Sequence, residues 1–247
     1  MEKILIRAFR AVDEPESCQR FAAEHARVLA DLGVDSVVVP DDSWARDPNT
    51  TVFVAEHRTL GMIAGIRLER AARDRPLRMQ TCVAPLAPVI VPLLDELVAN
   101  GNAELCGLWN AHRFAGRGVP WLLINAAVAG ASQLGLQTIV TFIAEYVAPY
   151  AERTGFVPIE HIGNSGRLVY PIPSIETWAM VLKDAITLAD VDLHVRQKLM
   201  SLRTRPRQFR VEQPKGKEIF VIYDLLIDDG MRWDYDGVME SRRRFAA

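Results

Sequence analysis

The residues with the most chemical content lie between 104 and 156. Residues 103–110 (AELCGLWN) are an apolar run bounded by turn formers, and 112–120 (HRFAGRGVP) are a turn that leads straight into an apolar helix. A strand feeding a glycine turn at a helix N-terminus makes an anion cradle, because unpaired amides and the positive end of the helix point at one spot. Gly116 and Gly118 occupy that turn, with Arg113 and Arg117 beside them. Other chemistries fit less well. In a dinucleotide-binding Gly-x-Gly-x-x-Gly the third glycine would fall on Trp121, which argues against a Rossmann-type oxidoreductase. Cys106 lies inside the apolar run, with no histidine spaced to activate it as a nucleophile. The three cysteines, Cys18, Cys82 and Cys106, are far apart and lack metal-ligand spacing; no metal is expected, and a reducing, cytoplasmic setting fits them.

Several elements must position this stretch. A helix over 119–134 puts Leu123, Ala127, Gly130 and Leu134 on one face, and residues this small let it pack close against a sheet. A second buried strand follows at 137–143, then a short helix over 148–156 capped by Gly155, so a right-handed parallel crossover is expected. Upstream, 3–9 reads as a strand. From Cys18 to Leu32 apolar residues recur at helical spacing, with Gly33 as the stop and His25 as a packed core histidine. Residues 35–40 are a short β-rich run, and 51–56 with 62–68 form a hairpin. Arg67, Arg70, Arg73, Arg75 and Arg78 read as a solvated connection, with an anion site as the alternative. Residues 84–100 are a proline-punctuated lead-in and a helix from 89 to 98. Downstream, 166–173 reads as a strand, 175–202 as helical and 218–227 as a last strand.

A chain of 247 residues that is 49% hydrophobic and 24% charged builds one sizeable core, drawn here as 1–172 with a C-terminal extension at 173–247. A net charge of −2 argues against a chain dedicated to nucleic acid, although 196–217 is strongly basic with Glu212 as its single acid, and 242–244 is basic again. No apolar run is long enough to span a membrane, and the opening MEKILIR lacks a signal-peptide core. An exposed last strand at 218–227 would pair between subunits, giving a homodimer.

Taken together, 104–156 resembles the acyl-donor half of the GNAT superfamily of N-acyltransferases, whose pattern after the fourth strand is Arg/Gln-x-x-Gly-x-Gly/Ala. One register puts Arg113, Gly116 and Gly118 on the motif. The preferred register matches 114–120, puts Leu123, Ala131 and Gly135 where the family's helix has leucine, alanine and glycine, and aligns Glu104-Leu105 and Tyr150 ahead of Gly155-Phe156. The resemblance implies an α/β (α+β) fold, a mixed central sheet flanked by helices, with a C-terminal helical and strand extension. It implies an acyl donor, coenzyme A or the phosphopantetheine of an acyl carrier protein, held by Leu108, Trp109, Asn110, Arg113, Gly116, Arg117, Gly118 and Val119. Trp109 and Trp121 would line the acyl pocket. A small-molecule amine would be the acceptor, with Tyr150 as acid and Glu104 as base, and Glu145 and His112 behind it. The register also departs from the pattern. Ala115 stands at the Arg/Gln position, and Pro120, at the final Gly/Ala, has no amide hydrogen. Within the superfamily, acyl-homoserine-lactone and N-acyl amino acid synthases can take acyl groups from carrier proteins. Such a donor needs less of a pyrophosphate cradle, and the basic 196–217 would suit an acidic carrier. A catalytically inactive acyl- or CoA-binding or interaction module is the alternative.

Overall fold

The alternation of apolar residues along the first strand and the hairpin builds one side of a sheet, which the rest of the chain extends. A computed structural model describes residues 2–34, 41–72 and 75–227. The β-rich run at 35–40, Arg73 and the basic residues 242–244 lie outside the described residues. In chain order the elements are β1 (Glu2–Arg10), α1 (Pro15–Asp31), β2 (Thr50–His57), β3 (Gly61–Arg70), α2 (Arg78–Val83) and α3 (Ile90–Val98). They continue with β4 (Asn102–Asn110), α4 (Val119–Gly130), β5 (Thr138–Ala144), α5 (Ala148–Glu152), β6 (Val157–Pro158) and β7 (Arg167–Val169). The chain then forms β8 (Glu176–Leu182), α6 (Leu193–Thr204), β9 (Arg207–Glu212) and β10 (Ile219–Asp224).

All ten strands join one mixed sheet in the order β6-β8-β5-β4-β3-β2-β1-β10-β9, with β7 also on β8. Strands from both sides of residue 172 therefore share it. The sheet is covered on both faces, as β2 makes plain. Phe53 and Ala55 point into the cluster around α4, and Val52 and Val54 into the cluster beneath α1. α4 is the central helix. Its Gly130 sits so close to the sheet that a Cβ there would lie 2.8 Å from the Phe53 ring. Its outer side is covered as well, because Arg203 of α6 reaches in and donates to the Val128 carbonyl at 3.1 Å. The helix is thus buried all round, not only on its small-residue face.

Three readings of the sequence need correction. Residues 175–202 are not one helix: β8 pairs antiparallel with β5 from Ile139↔Leu182 to Ala144↔Thr177. A continuous apolar run such as TWAMVL fits a strand covered on both faces as well as a buried helix, and its partners decide. The helix begins only where Asp192 accepts from the amides of His194 and Val195 at 3.0 and 3.2 Å, capping α6. The strand expected over 166–173 is limited to β7. Finally, β10 is an interior strand, parallel to β1 and antiparallel to β9, so the free edge falls on β9.

Candidate active site

The site originates where two strands part. β4 and β5 pair in parallel from Asn102↔Thr138 to Leu105↔Thr141 and no further, although both strands continue. At the parting point Thr141 Oγ1 donates to the Leu105 carbonyl at 2.7 Å, satisfying an acceptor at the end of the ladder. On its other side β4 carries a bulge against β3, between Gly65↔Trp109 and Arg67↔Cys106. Gly107 lies in that bulge at φ +61, and a Cβ there would meet the Arg67 guanidinium at 2.9 Å. The bulge and the splay together turn the backbone of 106–110 toward open space. That space is a cleft of about 650 Å³. β4 and 142–144 form its sides, α1 and α2 cover one end, and the 115–120 turn and Tyr150 stand at the other.

The end beneath α1 and α2 holds a buried polar patch. Glu69 and Glu104 face each other directly across β3 and β4, with Arg67 and Cys106 as the neighbouring pair. Two buried carboxylates in this position would repel, and Arg67 offsets one of them by binding Glu69 Oε1 at 2.9 Å. The Arg67 guanidinium stacks 4.2 Å from the Trp44 ring, which holds it in place. Glu104 is 3% exposed and accepts from the Met79 amide at 2.8 Å. Burial, with Glu69 nearby, pushes its carboxyl up to about 8 against the pull of the Met79 amide, Arg78 and Arg67. His25 lines the same end and packs edge-on against Phe21, so the packed histidine is also part of the cleft wall. Burial and the charges of Arg67 and Arg78 lower it to about 4, which keeps it neutral. Burial raises the Cys106 thiol well above its ordinary value, which leaves it unreactive.

At the other end Gly116 and Gly118 adopt φ +72 and +77, with Gly118 as the N-cap of α4. The amides of Gly116, Gly118 and Val119 find no backbone acceptor among the described residues, so the turn keeps donors for an anion. Pro120 stands at the start of the helix without one. The two arginines beside the turn face elsewhere. Arg113 donates to the Leu60 carbonyl at 3.2 Å, and Arg117 pairs with Glu2 and covers the Phe114 ring.

The structure brings Glu104, Tyr150, Leu108, Trp109, Asn110, Gly116 and His112 to one cleft. Arg113, Arg117, Gly118 and Val119 do not line it, and neither does Glu145, which is exposed. Trp121 is core, with Arg153 and Lys198 at 4.1 and 5.3 Å from its ring. Arg67 is 2% exposed on a central strand, which corrects its reading as part of a solvated connection. Much of the basic 196–217 segment is likewise structural. Lys198 and Arg210 pair with Glu212 at 2.9 and 3.1 Å, Arg207 pairs with Asp224 at 3.0 Å, and Arg203 is buried against backbone carbonyls. Tyr170 and Cys82, joined by a 3.3 Å hydrogen bond, and Lys215 also line the cleft. No local pattern in the sequence marked them.

No family model and no curated protein matches this chain. Solved structures do. A CoA-dependent acyl-homoserine lactone synthase, BjaI, aligns over 97% of this chain and 99% of its own at 16% identity, with a TM-score of 0.54. FeeM, an N-acyl amino acid synthase from uncultured soil microbes, aligns over 80% of this chain and 99% of its own at 14% identity, with a TM-score of 0.57. An acyl-CoA N-acyltransferase from Pseudomonas aeruginosa covers 71% of this chain and 97% of its own at 15% identity, with a TM-score of 0.50. The fold is that of the GNAT-type acyltransferases. No helix among the described residues is long and apolar enough to cross a membrane.

Proposed function

We propose that this chain, on its GNAT-type fold, is an N-acyltransferase that moves an acyl group from a pantetheine thioester to an amine acceptor. The observation that carries the reading is the parting of β4 and β5, which opens one cleft reaching from a glycine turn to a buried carboxyl. An extended pantetheine arm fits such a gap, because the side of 106–110 that faced β5 has no strand partner there and offers it strand-like hydrogen bonds. The fit to a phosphate-bearing donor is supported by the positive-φ glycines and the free amides of the turn. Coenzyme A and the phosphopantetheine of an acyl carrier protein share these features, and BjaI is a CoA-dependent enzyme.

In the reaction the amine nitrogen attacks the thioester carbonyl carbon; the C–N bond forms and the C–S bond breaks. Glu104 takes the proton from the attacking amine. A carboxyl near 8 is partly ionised at neutral pH and more basic than an ordinary glutamate, which suits it to that task. Tyr150, at the turn end of the cleft, gives its proton to the departing thiolate. His25, held neutral, adds no further positive charge to that of Arg67 and Arg78 at this end of the cleft.

A second reading, a non-catalytic acyl-binding module, draws on Ala115 and Pro120, which remove one side chain and one amide from the donor turn. A thermal-shift titration with coenzyme A, acetyl-CoA, a long-chain acyl-CoA and an acyl carrier protein thioester tests the donor site that both readings need. A raised melting temperature with at least one is expected. No shift with any of them overturns both.

A further inference from the structure

We infer that Lys215, on the β9–β10 connection, is the cation that binds the phosphate of the pantetheine donor. The inference rests on the proposed function and adds a residue that the donor turn itself lacks. The β9–β10 connection folds directly over this turn. A Cβ on Gly118 would lie 2.6 Å from Pro214 Cβ and 3.4 Å from Lys215 Cγ, so the side chains of these two residues press on the Gly118 backbone and leave room only for glycine. Pro214 is buried at this contact and anchors the connection there. Lys215 then enters the cleft wall with Ala115, Gly116 and Pro120, and its Nζ lies 5.4 Å from the centre of the Tyr150 ring.

Among the described residues beside the turn, Lys215 is a cation directed into the cleft. Arg117 is neutralised by Glu2, and Arg113 is directed at Leu60. Among the described residues no carboxylate pairs with Lys215. A phosphate seated where Gly116 brings the turn into the cleft would meet an ammonium supplied by a different part of the chain. An ammonium binds phosphate as a point charge without fixed geometry, so it can replace a missing guanidinium and a missing amide together. The cation–π contact of its ammonium with the Tyr150 ring also orders the long side chain before binding, which lowers the entropy cost of its use.

The test is calorimetric binding of coenzyme A, 4′-phosphopantetheine and pantetheine to wild type, Lys215→Ala and Lys215→Arg at one fixed ionic strength. Loss of one charge-assisted hydrogen bond weakens binding by about ten-fold to a hundred-fold. That loss is expected for coenzyme A and phosphopantetheine in Lys215→Ala, with pantetheine unchanged and Lys215→Arg close to wild type. Lys215→Ala that binds coenzyme A like wild type overturns the inference and leaves the acyltransferase reading in place. So does an equal loss for all three ligands, or a wild type that gains nothing from the phosphate. A wild type that binds none of the three overturns the inference and the acyltransferase reading together.

Discussion

Replacing Glu104 by glutamine separates the charge of this residue from its shape. The side chain keeps its volume and an oxygen to accept the Met79 amide, now at 2.8 Å, but it no longer ionises. In the folded chain this carboxyl titrates near 8, against 4.5 when unperturbed. The native state therefore holds a proton that the unfolded chain has lost throughout that window. Stability falls as pH rises through it, fully present below about pH 4.5 and lost by about pH 9. At about 1.4 kcal/mol per pH unit of difference, the wild type gives up about 5 kcal/mol from this one group. Glu104→Gln escapes that loss. Denaturant unfolding across the pH range should show the two proteins equal near pH 4 and the variant several kcal/mol more stable near pH 9. Its acyl transfer should drop by about a hundred-fold or more, while the wild-type rate climbs toward pH 8. Parallel stability curves would refute the buried-carboxyl account, and a fully active variant would refute its role as base.

Three further variants probe the parts around it. Tyr150→Phe should lower kcat by about a hundred-fold with little change in melting temperature or donor affinity, because the ring contacts remain; steady-state kinetics beside a thermal scan would show it. Gly118→Ala combines a side chain at φ +77 with the clash against Pro214, so it should cost about 1–2 kcal/mol of stability and weaken coenzyme A binding as well. Arg203→Met leaves the Ile186, Ala185 and Val128 carbonyls without their donor and should destabilise the fold by about 3 kcal/mol or more in urea, far from the cleft.

The half of the site that is local in sequence was readable. Residues 103–110, the 112–120 turn, the helix from 119 and the strand before Ala144 each carry a bounded apolar run or a glycine with positive φ, and each appears where the sequence placed it. The resemblance to the acyl-donor half of GNAT enzymes rests on the same stretch. What escaped notice depends on distant partners. Glu69 stands two residues from Arg67, but nothing local tells that Trp44 covers the guanidinium, and without that contact Arg67 reads like the arginines exposed to solvent. The basic count over 196–217 concealed the fact that Glu212 serves two cations at once. The misread 175–202 has the same origin, because an apolar run adopts the conformation its neighbours can hydrogen-bond, and β5 was that neighbour. The contact of Pro214 and Lys215 with Gly118 joins elements far apart in the chain, with no local pattern to mark it.

The most direct test of the account is transfer itself. Purified protein is incubated with an acyl-CoA series or acyl carrier protein thioesters and a mixture of small amines, and both free thiol and N-acyl products are followed by mass spectrometry. The account predicts matching amounts of thiol and amide, both much reduced in Glu104→Gln and in Tyr150→Phe. Donor binding with no amide from any donor and amine would contradict it and identify the cleft as an acyl-binding site without turnover.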